Sequence, residues 1–196
     1  MAALHAPGAF AQQAGPVKSD GDWPCRQILV GRISLAAVWS GPSIEGAIWR
    51  GDAALEDLVA RLAARRMPIE AAERAIEEFA NASKPDKEKR LIALLAGLFE
   101  TLNRERAQVI EGLTRFGHKQ KELAAKIREE NAAIQADAAA TPQGRAQGTD
   151  PSAQNLEWDL RVFNERRQSL AYVCETPTLI EQRLFALARI IERYLD

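Results

Sequence analysis

Cys25 and Cys174 are the only two cysteines in this 196-residue chain, and their chemistry depends on the compartment they meet. In an oxidising space they can close one disulfide, of a single possible connectivity. As thiols they could hold a soft metal such as Cu(I), or cycle as a redox couple. No C-x-x-C spacing and no methionine-rich neighbourhood accompanies them, the chain having two methionines in all. A bridge would close a loop of about 150 residues and constrain the unfolded chain by about 5 kcal/mol in the chain-entropy account.

The compartment is argued from the front of the chain. Ala9-Phe10-Ala11, followed by Gln12-Gln13, places small residues at the first and third positions of an A-x-A unit, the pattern a signal peptidase cuts. Met1 to Ala11 has neither a basic start nor a sustained apolar run, because His5, Pro7 and Gly8 interrupt it. Residues 1–20 are therefore expected to be the remnant of a truncated signal peptide and a flexible tail, cut before Gln12. That places the chain in the periplasm. The alternative is a cytoplasmic Ala/Gly/Pro-rich tail with both thiols reduced.

Other residues offer little chemistry. Of the two histidines, His5 is lost with a cleaved leader and His118 is expected to flank a long helix. A zinc site needs about three or four ligands, which nothing here supplies. Gly41-Pro42-Ser43-Ile44-Glu45-Gly46 approaches G-x-S-x-G, but its second glycine comes one place late, and it reads as a turn. Glu77/Glu78 and Glu129/Glu130 lie on amphipathic helices, where paired carboxylates are solvated face. No phosphate loop, dinucleotide fingerprint or haem attachment motif is present. No catalytic residue, cofactor or metal ligand is assigned.

Tryptophan is the remaining signal. Trp23, Trp39 and Trp49 crowd residues 21–51, and Trp158 lies off the expected seam of a later helix. Indoles are enriched at binding hot spots, which makes Trp158, Trp39 and Trp49 candidate partner contacts. The alternative is that the first three pin their own segment onto the helices. A net charge of −1 with mixed signs leaves no footprint for nucleic acid or anionic lipid. No apolar run is long enough to cross a membrane.

The elements that must position these residues are helical. Residues 21–51 hold Pro24, Pro42 and five glycines with no periodicity, and are expected to form an irregular strap lying across helices, with one helical turn after Ser34. Asp52 is a good N-cap, and Leu55, Leu58, Val59 and Leu62 follow at helical spacing. Met67-Pro68 breaks the chain before a second short helix carrying Ile69, Ala72, Ile76 and Phe79.

Two long helices are then expected, over about residues 85–137 and 153–195. The first carries a heptad seam: Leu95, Phe99, Leu102, Arg106, Val109, Leu113, Phe116, Gln120, Leu123, Ile127, Glu130, Ile134. Glu100/Arg104, Glu111/Arg115 and Glu122/Lys126 stand at i,i+4 in the favourable order. The second seam runs through Leu156, Leu160, Phe163, Arg167, Leu170 and Cys174, with a break or kink expected at Thr176-Pro177, then Leu184, Ala188, Ile191 and Leu195. A turn near residue 145 would set Cys174 level with Gly112 to Gly117, glycines that could admit the strap to the helix backbone.

The fold expected is all-α: an elongated, coiled-coil-like antiparallel helical hairpin with two short helices at its base (52–196) and an irregular Trp-rich strap. Such a shape exposes a long surface. The expectation is an exported, non-enzymatic binding protein, an adaptor, accessory subunit or chaperone-like factor for another exported protein or for a second copy of itself. The alternatives are a cytoplasmic coiled-coil interaction protein and a redox or Cu(I)-handling accessory protein.

Overall fold

The computed structural model describes residues 21–140 and 151–195, and the expected leader with its cut before Gln12 lies outside them. The elements are α1 (Leu35–Val38), α2 (Ala53–Ala63), α3 (Ile69–Ala82), α4 (Lys87–Ala140) and α5 (Pro151–Arg193), with no strand among the described residues. Helix α4 alone reaches about 80 Å at 1.5 Å per residue. It packs against α5 as an antiparallel hairpin, with α2 and α3 thickening the base.

The short helices form for local reasons. The Asp52 carboxylate accepts the Ala54 and Leu55 amides, both at 3.1 Å, and its apolar stripe buries Leu55, Leu58, Val59 and Leu62. Helix α3 buries Ala72, Ile76 and Ala80, and the Ser83 hydroxyl donates to the Phe79 carbonyl at 2.6 Å where it ends. Arg183 on α5 donates to the carbonyls of Leu62 and Met67 at 2.7 and 3.0 Å, setting a cation at the C-terminal end of α2.

The core sits in the base. Leu91, Leu94, Leu95, Leu98 and Leu102 of α4 meet Leu184, Leu187, Ala188 and Ile191 of α5, all fully buried. Towards the far end the hairpin has only two helices, and Leu123, Ile127 and Ile134 are no more than half-buried. Register along this shaft is set by polar contacts across the helices. Arg106 pairs with Glu181 at 2.5 Å, Gln120 donates to the Phe163 carbonyl at 3.4 Å, and Lys126 pairs with Asp159 at 2.7 Å.

Four expectations are corrected. Helix α5 does not break at Thr176-Pro177 but runs continuously through a buried Pro177. Leu160 is turned out to solvent and Asp159 takes the inward place, drawn there by Lys126. Lys126 consequently pairs with Asp159 and Glu130, while Glu122 faces His118. Arg167 is exposed on the side of the shaft instead of lying in the seam.

The strap descends α4 in the opposite chain direction. Asp22 meets the helix at Gly117 and Lys121, the Val30 carbonyl accepts from Arg106 at 2.6 Å, and the Ile33 amide donates to Asn103 at 2.9 Å. At the base the Ser40 amide and hydroxyl both donate to Glu192 at 2.8 Å, and Trp49 donates its indole N–H to Glu100 at 3.0 Å. A segment without periodicity is thereby held by hydrogen bonds to helix side chains, since it cannot satisfy its own backbone.

Candidate functional site

The strap and shaft are joined where Cys25 and Cys174 form a disulfide, S–S 2.03 Å, across 149 residues. Helix α5 presents Cys174 three residues before Pro177. Pro177 has no N–H, so the Val173 carbonyl lacks its helical donor and the proline ring crowds that turn. The next carbonyl along, that of Cys174, accepts a hydrogen bond from the side-chain amide of Gln27 on the strap. Val173 is half-exposed, so water can reach the weakened turn. Gln27 thus ties the strap to the turn beside the orphaned Val173 carbonyl without replacing the bond that Pro177 removes.

Close approach of the strap depends on Gly117. A Cβ at that position would fall on the Asp22 carbonyl oxygen and crowd Pro24, so only glycine admits the strap backbone. Lys121 donates to the Gly21 carbonyl and pairs with Asp22 at 2.9 Å, and His118 faces Asp22 through Nδ1 at 3.1 Å and Glu122 through Nε2 at 3.2 Å. The hydrogen bond from Lys121, seconded by His118, holds the Asp22 carboxyl below its ordinary pKa. Gly112 differs: a Cβ there would meet only the far end of Arg115, at 4.0 Å, so strap contact does not explain it.

Beneath the strap Arg106 is 4% exposed, and its guanidinium is shared between the Val30 carbonyl and the Glu181 carboxylate. A buried charge is tolerated only when paired in this way. Three segments are tied at one point: strap, α4 and α5.

Two open surfaces flank the junction. A groove of about 600 Å³ runs beside the disulfide, lined by Cys25, Arg26, Arg167, Leu170, Cys174 and Leu179 among others. On another side of the shaft, Val109, Gly112, Leu113, Phe116, Leu170 and Val173 line a second hollow of about 290 Å³ that is almost wholly apolar. Tyr172 stands nearby, 78% exposed.

The tryptophans divide. Trp158 is 62% exposed, two turns into α5. Trp39 is 7% exposed, packed in the core with its indole N–H on the Pro42 carbonyl at 2.6 Å, which removes it from the surface contacts expected of it. Trp49 is half-buried, and its indole is committed to Glu100, with Arg50 stacked over the ring at 4.9 Å. The hydrogen bond from Trp49, then the Arg50 guanidinium, depresses the Glu100 carboxyl. Both residues pin the strap, as the alternative reading of the indoles anticipated.

Residues that sequence reasoning passed over carry the junction: Gln27, Asn103 and Glu181. Nothing in their local sequence marks them, because each acts on a partner distant in the chain. Among the described residues no three His, Cys, Asp or Glu side chains converge to hold a metal ion, and no helix is long and apolar enough to cross a membrane. Comparison with protein-family models, with curated proteins and with solved structures finds no match, so function is argued from these residues alone.

Proposed function

We propose that this chain is an exported, periplasmic, non-enzymatic binding protein that serves another exported protein as adaptor, accessory subunit or chaperone-like factor. The observation that carries the reading is the Cys25–Cys174 disulfide, since structural bridges persist in oxidising compartments and are rare in the cytosol. Ala9-Phe10-Ala11 supplies the matching export cut before Gln12.

The binding role is supported by the shaft. A two-helix shaft leaves one side open, and here that side holds the apolar hollow around Gly112 with Val173 and Tyr172 exposed beside it. Trp158 extends the exposed apolar surface towards the far end of the hairpin. Aromatic anchors beside an apolar hollow are the features on which interfaces concentrate their energy.

Photo-crosslinkers placed at Tyr172 and at Trp158 in cells test this. A discrete adduct with one exported protein is the expected result, and an adduct of twice the chain mass would mean self-association. No adduct at either position, with the protein folded and oxidised, would contradict the reading.

A further inference from the structure

The groove beside the disulfide has a composition that a plain staple does not require. Strap and α5 build it together, and both half-buried cysteines line it. Arg26 and Arg167 border it, both exposed, and neither enters an ion pair among the described residues. Glu175 is the one acidic side chain on the lining, so cations outnumber anions there. The volume of about 600 Å³ suits a small molecule.

We propose that this groove makes Cys25–Cys174 a native-state exchange site for small anionic thiols. The incoming thiolate sulfur bonds to one Sγ of the bridge, the S–S bond breaks, and its electron pair leaves on the other Sγ. Guanidinium groups bordering the groove favour both the approach of the anion and the thiolate that departs. A second thiolate attacks the mixed disulfide, releasing the external disulfide and the second cysteine thiolate, and both cysteines take protons from water. Two external thiols are oxidised while the bridge gains two electrons. The strap then loses its covalent tie, and the groove it helps to form opens. This holds whether or not the shaft carries a partner.

The test uses the full oxidised protein and three small thiols of similar size: anionic 2-mercaptoethanesulfonate, neutral 2-mercaptoethanol and cationic cysteamine. Each rate is normalised to the same thiol's rate with a neutral unconstrained disulfide. The expected result is a rate linear in thiol concentration that exceeds the separately measured unfolding rate. The anionic thiol should be favoured over the neutral one by roughly threefold or more at low ionic strength, and salt should abolish the preference. Arg26→Gln and Arg167→Gln, both at exposed positions, should erase that preference without moving the urea midpoint. Rates that level off at the unfolding rate would overturn the proposal, as would equal normalised rates for the three charges.

Discussion

The side-chain amide of Gln27 donates to the backbone carbonyl of Cys174, the same residue whose sulfur is bonded to Cys25 two positions before Gln27. Strap and helix are therefore joined twice at one turn, once covalently and once by a hydrogen bond. That turn is the one Pro177 weakens. A double-mutant cycle should show coupling. Gln27→Ala should cost about 1 kcal/mol in the native sequence. It should cost less in a Pro177→Ala background, where the alanine returns a donor to the Val173 carbonyl and the turn leans less on the strap. Equal costs in both backgrounds would separate Gln27 from the proline.

The staple should matter more than any hydrogen bond. Replacing both Cys25 and Cys174 by serine should lower stability to urea by about 5 kcal/mol, less any structure retained in the unfolded state. Hydrogen exchange should rise first at the Ile33 amide, which is held by Asn103.

The two glycines of the shaft should respond in opposite directions. Gly117→Ala drives a methyl group into the Asp22 carbonyl and should destabilise by about 1–3 kcal/mol through displacement of the strap. Gly112→Ala meets only the far end of the Arg115 side chain, at 4.0 Å, and should stabilise by up to about 1 kcal/mol, the helix-propensity difference. Urea titration of the two single variants checks both signs.

Glu181→Ala should cost about 3 kcal/mol, because it leaves Arg106 buried with only the Val30 carbonyl. Replacing the pair together, Arg106→Met with Glu181→Leu, should recover most of that loss. Failure of the double variant to recover would mean that the Val30 contact carries the energy.

Acid should undo the strap before the helices. Lys121 holds the Asp22 carboxyl down, Trp49 holds Glu100 down, and at Glu192 burial raises the carboxyl but the Ser40 and Arg189 bonds outweigh it. All three native pKa values lie below their unfolded ones, so their stabilisation is whole above the ordinary carboxylate range of about pH 4. It falls away below that range and is gone beneath the depressed native values. Limited proteolysis between Gly31 and Gly51 should accelerate below about pH 4 while helical circular dichroism and the disulfide persist. Unchanged proteolysis at that acidity would contradict the assignment.

Much of this architecture was legible in the sequence because it is local or periodic. The Asp52 cap, the seam through Leu95, Leu102 and Leu113, and an aperiodic strap all follow from spacing. The departures came from partners distant in the chain. A proline reads as a helix breaker, and the strap residue tied to the turn it weakens lies far off in the chain. Asp159 looks like solvent face beside Leu160, yet Lys126 on the opposite helix draws it inward. Trp39 reads as an anchor of unknown direction, and only the packed base shows that it faces the core. The groove beside the disulfide was not legible at all, since Arg26 and Arg167 converge only after strap and shaft are assembled.

The most direct test of the account is an intact mass of the protein expressed from its native locus, isolated without reductant and alkylated before and after reduction. The account predicts a chain beginning at Gln12 with two thiols that appear only after reduction. A chain that retains Met1 to Ala11 with both thiols free from the outset would contradict it.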